Sequence, residues 1–454
     1  MAPTRASLKG FLATAKKALL LPPTQRSNPL TFVVGNESAD LDSLCCTLLF
    51  AYFRTHTPPH TLHIPLSNLP RVDLALRPEL NAVLSPAGLR PDDLITLTDL
   101  PREGLNPEDT HWLLVDHNAL TGDLAKSFSN RIIGCIDHHE DENVIPHTLP
   151  PGQPRIITKC GSCMSLILDY CKPTWDSISH LPCEAEDEAG SSSTPAAECD
   201  AHLARVALAP VLIDTTNLTS KDKTTDCDVR AVELAESKLL PSLQTTATIT
   251  TPLTPSSSQP PSSSSASTTT TTTRSSSSSA EKYDRQTYHA TLSALKEQIA
   301  GLSYRDILRK DYKRWTEGPL ALGVSAVVQG FEYAFVNAGN KSRGGFLAAL
   351  KGWAREEEQA LDVAAVMTVS RPGGVFTREL LVWGLNEKGV AAVGKFYKKF
   401  GETLGLEPWK GGELDSGGEG EAEWRVCWRQ KAVSQSRKQV APMLREAMRE
   451  SARL

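Results

Sequence analysis

The chain has 454 residues, 40% hydrophobic and 22% charged, which is material for two or three ordinary domains and excludes a small disulfide-stapled scaffold. Forty-eight Lys and Arg against 53 Asp and Glu leave a net charge of −5, so no overall positive field draws the chain onto nucleic acid or an anionic membrane, and any bound polyanion must meet a local basic site. Charges and prolines interrupt every apolar run well short of the ~20 residues of a membrane span, and the ten scattered cysteines, with no secretory leader before them, read as reduced intracellular thiols.

Taken in order, the first 30 residues carry Arg5, Lys9, Lys16, Lys17 and Arg26 and no acid before Glu37, the charge pattern of a mitochondrial transit peptide. Leu8, Phe11, Leu12, Ala15 and Leu19 also recur at helical spacing before Pro22-Pro23, so an amphipathic first helix of the fold is the preferred reading. Short apolar runs at 31–34, 112–115 and 131–136, each followed at once by polar or acidic residues, predict parallel strands buried on both faces. Helical patterns at 41–54 and 162–170 alternate with them, which predicts a doubly wound, mainly parallel α/β domain with its ligand outside the carboxyl ends of the strands.

Two polar stretches read as insertions, one near 183–200 and a Ser/Thr/Pro-rich one at 242–280, because neither holds enough apolar surface to offset its ordering entropy. The longer one is read as a spacer, with a phosphorylated docking segment as the alternative. Pattern resumes at 288–302, and strands at 320–328 and 376–383 flank a helix at 345–362, so residues 281–454 form a second, smaller α/β domain after a first domain at 1–241.

The unusual residues sit at the predicted strand ends. Gly35-Asn36-Glu-Ser-Ala-Asp40-Leu-Asp42-Ser43 follows the first strand, and two aspartates spaced i, i+2 in a strand-to-helix turn can face one point, although alone they serve equally well as helix caps. The second strand ends in Asp116-His117-Asn118 and the third in Asp137-His138-His139, while Asp214 follows the helical pattern at 202–212. Five aspartates and two histidines in one crevice repel one another unless cations intervene, so the physical reading is a pair of divalent ions, Mg or Mn with Co as a further option. Two such ions suit in-line attack on phosphorus. Basic partners follow late in the chain, in Ser436-Arg437-Lys438-Gln-Val-Ala-Pro442 and in Lys310-Asp-Tyr-Lys313-Arg314. Cys160-Gly-Ser-Cys163 lacks the second pair of a structural zinc site, and neither cysteine is read as catalytic.

These four acidic motifs occur in the order and rough spacing of the DHH phosphoesterase superfamily, and the chain resembles that family over its whole length apart from the two insertions. Ser-Arg-Lys-Gln-Val-Ala-Pro442 is similar to the substrate-binding motif in the DHH-associated domain of family II inorganic pyrophosphatases and exopolyphosphatases. Within that branch the motifs at 35–43 and 137–141 most resemble fungal cytosolic exopolyphosphatases, with the animal prune proteins close by. The resemblance implies that Asp40, Asp42, Asp116, His138 and Asp214 ligate two divalent ions, with Asp116 bridging them. It implies that Asp137 supports the histidines, that His139 contacts phosphate, and that Lys313, Arg437 and Lys438 hold an anionic chain, with Lys310 and Arg314 as rivals of Lys313. The pyrophosphatase motif has a ligating histidine where this chain has Asn36, which predicts looser metal binding, a shift toward Mg and a preference other than pyrophosphate.

The expected function is removal of terminal phosphate from inorganic polyphosphate by a hydroxide generated between the two ions, with Asp116 and His139 as the catalytic pair. The alternative is a prune-like phosphodiesterase or scaffold acting on nucleotides or short substrates. Inorganic polyphosphate and nucleoside polyphosphates are the expected ligands of a cytoplasmic or, alternatively, mitochondrial-matrix monomer that binds neither nucleic-acid polymer nor membrane.

Overall fold

A computed structural model describes residues 4–101, 104–184, 194–247 and 283–452. Helix α1 (Leu8–Leu20) precedes β1 (Leu30–Val34), α2 (Leu41–His56), β2 (His63–Leu66), α3 (Pro78–Leu84), β3 (Thr110–Val115), α4 (Gly122–Phe128), β4 (Ile132–Asp137) and β5 (Arg155–Ile157). Four helices follow, α5 (Cys163–Ile178), α6 (Ala196–Asp214), α7 (Asp226–Ala247) and α8 (Arg285–Lys296). The strands form a five-stranded sheet in the order β2-β1-β3-β4-β5, parallel throughout.

Their alternation buries both faces. Val33, Leu113 and Val115 join the core under α2, α5 and α6, while Phe32, Val34, Trp112 and Leu114 join a second core on the opposite face, where Phe32 stacks on Trp112 at 4.6 Å. That is the two-faced burial that the continuous apolar runs predict. Helix α1 buries Leu8, Phe11, Leu12, Ala15 and Leu19, the five residues of the predicted stripe. At ~1.5–3 kcal/mol for each large side chain, the stripe is worth as much as the ~5–15 kcal/mol net stability of a domain, so α1 is an integral element.

The second half begins with α9 (Tyr304–Lys310), β6 (Tyr312–Glu317), β7 (Leu320–Val327), α10 (Phe331–Asn337) and α11 (Arg343–Arg355). It continues with β8 (Val363–Ser370), β9 (Thr377–Gly384), α12 (Glu387–Leu404), β10 (Leu406–Pro408), β11 (Ser416–Gly417), β12 (Trp424–Gln430) and α13 (Arg437–Ser451). The mixed sheet runs β10-β12-β9-β8-β7-β6 with β11 paired to β12, and only β7 and β8 are parallel. Helices α9, α10 and α11 cover one face and α12 and α13 the other.

Several local expectations shift. Helix α6 starts at Ala196, inside the stretch read as insertion, because Asp200 is drawn inward by Arg5: the buried guanidinium donates to Asp200 Oδ1 at 2.7 Å and the Trp175 indole to the same oxygen at 3.1 Å. Helix α7 runs to Ala247, past the predicted start of the Ser/Thr-rich segment, and residues 248–282 lie outside the described residues. The reading of ten free thiols is corrected at one pair: Cys183 is joined to Cys199 across the polar segment, and the other eight are free. Side chains of α8 and of Tyr283 and Tyr288 pack on the first core although they follow the long insertion.

Asp200→Ala strips the buried Arg5 guanidinium, whose side chain is 0% exposed, of its counter-charge. Loss of ~3–5 kcal/mol is expected in urea unfolding, since breaking a buried pair strands a charge; a loss under ~1 kcal/mol would show that the pair is dispensable.

Candidate active site

In the order β2-β1-β3, chain direction across the sheet reverses between β1 and β3, so a crevice opens beyond their carboxyl ends. Asn36 to Asp42 leave β1 there, Asp116 leaves β3, and Asp137 to His139 leave β4. Asp116 sits at φ +60° and Ala39 at φ +43°, left-handed conformations that cost non-glycine residues ~1–3 kcal/mol each and cluster at functional sites. Gly35 is needed for room, because a Cβ there would lie 2.8 Å from that of Ser43.

Asp116 is held on both oxygens. Its Oδ2 accepts from Ser43 Oγ at 2.6 Å and from Asn36 Nδ2 at 2.8 Å, while Oδ1 lies 3.1 Å from His138 Nε2. The Asn36 amide also donates to the Asp116 carbonyl, and its oxygen accepts from the Ser38 amide and hydroxyl, so the oxygen that the motif comparison would offer to a metal is engaged elsewhere. Asn36 stands behind Asp116 and orients it.

Asp42 lies over the start of α5. It accepts from Ser162 Oγ at 2.9 Å, from the Cys163 amide at 2.8 Å and from the Met164 amide at 3.2 Å, and its Oδ2 is 3.9 Å from His138 Nε2. His138 Nδ1 donates to the Cys160 carbonyl at 3.0 Å, which turns Nε2 toward Asp116 Oδ1; burial and Lys438 oppose charge on this ring, but Asp116 and Asp42 raise it to about 9, so Nε2 shares a proton with Asp116. A divalent ion would take the place of that proton between the imidazole and the carboxylate, 3.1 Å apart. Here Lys438 Nζ reaches Nε2 at 2.9 Å.

Asp137 is fully buried. Its Oδ1 accepts from the amides of His138 and His139 and from His139 Nδ1 at 2.7 Å, leaving His139 Nε2 free, and its Oδ2 accepts from Asn118 Nδ2 at 2.6 Å. These donors outweigh burial and hold the Asp137 carboxyl down at about 2. Asn118 also fixes the loop after β4, through the Glu140 carbonyl and the Glu142 amide.

Among the described residues, Asp116, His138 and His139 bring ligand atoms within 4.8 Å of one another. Asp42 borders that cluster. Asp40 and Asp214 stand outside it but are felt through their charge: burial and the carboxylates of Asp116 and Asp214 push the Asp40 carboxyl up to about 6 and raise Asp42 well above the usual range. Burial opposes the charge of Asp116 too, but the hydrogen bond with His138 and the charges of His139, His138 and Lys313 hold it low. The donor set is therefore oxygen-rich, carries one correctly presented imidazole and is short of positive charge, which fits hard divalent cations.

The second half supplies positive charge. The three rival cations separate: Lys310 ends α9 and turns to the Lys296 carbonyl and Glu79, while on β6 Arg314 turns to the Gln359 carbonyl and Lys313 lies where its charge acts on Asp116, Asp40 and Asp311. Arg437 donates to Asp311 Oδ1 at 2.6 Å and to Ser38 Oγ at 3.3 Å. Two cations of the region carry no sequence signature. Arg77 donates only to carbonyls, those of Ser38, Ala39, Asp73 and Lys310, and so clamps the loop after β1 to the end of α9. Lys296 lines a cavity with Asp40, Glu79 and Asp311.

A family model described as "DHH family, N-terminal domain" matches residues 31–201, and one described as "DHHA2 domain" matches residues 290–447. A Schizosaccharomyces pombe protein described as "Putative exopolyphosphatase" is 30% identical over 438 residues, 96% of each chain. "Exopolyphosphatase PRUNE1" of Homo sapiens is 28% identical over 148 residues, 32% of this chain and 31% of that protein. Among solved structures, a "putative family II inorganic pyrophosphatase" of Methanococcus jannaschii superposes with a TM-score of 0.51 at 18% identity, covering 92% of this chain and 99% of its own, a likeness of fold.

Asn36→Ala removes one hydrogen bond to the Asp116 carbonyl and one to its Oδ2, leaving Ser43 as the remaining donor to Oδ2. Mn²⁺ affinity measured by calorimetry is expected to fall about tenfold, as for other lost supports of a ligand; unchanged affinity would mean that Ser43 suffices.

Proposed function

The chain belongs to the DHH family of phosphoesterases, and on that footing we propose that it is a metal-dependent exopolyphosphatase that releases terminal phosphate from inorganic polyphosphate. The observation that carries this reading is the juxtaposition of a buried Asp/His cluster on the first half with Lys313, Arg437 and Lys438 from the second. A substrate held at the acids is thereby faced by cations along its length, which suits a chain of phosphates better than a neutral ester.

Asp42, Asp116 and His138 would hold the ions, with Asp40 and Asp214 completing the set, and Mg or Mn suits these ligands, with Co as a further option. Bound divalent ions supply a water acidic enough to attack at neutral pH and offset charge on the phosphoryl oxygens. Asp116, fixed by Asn36 and Ser43, presents one oxygen into the site without reorganising. His139 donates Nδ1–H to Asp137 and turns Nε2 to the site, where it would bond a phosphate oxygen by accepting that oxygen's proton or by donating once the ring is itself protonated. Lys438 and Lys313 bind the anion and stabilise the charge that develops on it and on the leaving phosphate, and Arg437 adds a planar fork at the loop after β1. Nucleoside polyphosphates carry the same phosphate chain and are proposed as further substrates. The burial of α1 favours its retention over its removal as a transit peptide, and a cytoplasmic site of action is proposed with it.

Purified protein with Mg²⁺ or Mn²⁺ is expected to release orthophosphate from long polyphosphate much faster than from pyrophosphate, and chelation should abolish turnover. Asp116→Ala should lower the rate at least a thousandfold with an unchanged melting temperature, whereas substantial residual activity would remove Asp116 from the site. Dominant cleavage of a cyclic nucleotide would move the assignment to phosphodiester chemistry, and silence on all three substrates with metal bound would favour a scaffold.

A further inference from the structure

Asp228, in the first turn of α7, belongs to none of the motifs that define the site and contacts no candidate ligand, yet it is 0% exposed. Its carboxylate accepts six hydrogen bonds. Four come from the turn that opens α5: the Gly161 amide at 3.0 Å, the Ser162 amide at 3.1 Å, Cys160 Sγ at 3.2 Å and Ser165 Oγ at 2.7 Å. Two come from its own helix start, the Thr225 amide at 2.7 Å and hydroxyl at 2.8 Å. Burial opposes the charge, but the donors outweigh it and hold the carboxyl below its ordinary range.

The same turn has two outputs toward the site. The Cys160 carbonyl receives His138 Nδ1 at 3.0 Å, which presents Nε2 to the crevice. Ser162 Oγ and the Cys163 amide grip the two oxygens of Asp42 at 2.9 and 2.8 Å. Gly161 between them has no room for a side chain, since a Cβ would lie 2.6 Å from Thr215 Cγ2 and 2.8 Å from Asp228 Oδ2. We propose that Asp228 is a positioning residue for metal binding, which through the turn at 160–163 sets the orientation of His138 and Asp42 together. The inference rests on the reading that these two residues ligate the metal. It couples them: a shift of one turn misplaces an imidazole and a carboxylate at once, so the loss exceeds that of an ordinary structural hydrogen bond.

The test is Mn²⁺ titration by calorimetry, with metal-free melting curves, on the full chain and on Asp228→Asn, Ser165→Ala and His138→Asn. Asp228→Asn is expected to weaken Mn²⁺ by about 10–100-fold, as outer supports of metal ligands do, and Ser165→Ala, which removes one donor to Asp228 and touches neither ligand, by about threefold. A lower melting temperature with unchanged Mn²⁺ affinity would make Asp228 merely structural and overturn the proposal. If Asp228→Asn does not fold, Ser165→Ala decides alone, and full affinity there overturns it. Full affinity in His138→Asn would instead defeat the ligand reading itself, and the proposal with it.

Discussion

Like charges brought out of water repel with an energy that grows as the local dielectric falls, and here four carboxylates, those of Asp40, Asp42, Asp116 and Asp214, are crowded into one crevice. Much of the surrounding architecture can be understood as the set of groups that make this tolerable. Asp42 lies against the amides that open α5, where the helix dipole favours negative charge. Asp116 draws on Asn36, Ser43 and His138. Asp40 caps α2 through the Ser43 amide. These donors orient the acids without removing their charge, and the remaining deficit is what the cations of the second half and any bound ions must meet.

That deficit explains why the two halves meet where they do. Lys313 and Arg437 would be costly to bury against an apolar surface, but opposite a carboxylate cluster their desolvation is offset, while the more exposed Lys438 reaches the same cluster from the solvent side. Arg77 adds a connection of a different kind: four carbonyl acceptors from both halves satisfy its guanidinium, so it ties the loop after β1 to α9 without spending a carboxylate. The strained backbone at Ala39 lies directly under this clamp, and one of the four bonds is to its carbonyl.

How much of this was legible in the sequence follows from whether each feature has a local cause. The strands β1, β3 and β4 could be read because both of their faces are buried, which writes an unbroken apolar run, and the motif acids could be placed because they follow those runs at once. Strand β8 was missed because its Val363-Ala-Ala-Val366 core looks equally helical, and β12 because Arg425 and Arg429 interrupt its apolar residues. Lys310, Lys313 and Arg314 separate only once α9 ends at Lys310 and the pairing of β6 with β7 sends Lys313 and Arg314 to opposite faces. Arg77 has no spacing signature, and Asp228 shows in the sequence only as the fourth residue of a helix-start pattern with Thr225, which says nothing of its reach to the turn at 160–165. The bonded pair of Cys183 and Cys199 likewise depends on how a polar segment folds back.

The arrangement around Asp311 bears on which anions the site can accept. Arg437 is held by this one carboxylate, and Lys313 and Lys296 also lie within its field. On the proposed reading, a phosphate entering between the halves would have to compete with Asp311 for Arg437, and a short anion held beside the acids and His139 would gain little from that exchange. If the ligand is the proposed phosphate chain, a longer one would reach the acids and the Asp311 group together, so each added phosphate along Lys313 and Arg437 would replace an internal contact by an external one of the same sign. On the proposed reading, discrimination by length would need no pocket shaped to a particular chain: Arg437 is already paired with Asp311, and only an anion with charge to spare beyond the reacting phosphate would recover the cost of unpairing it.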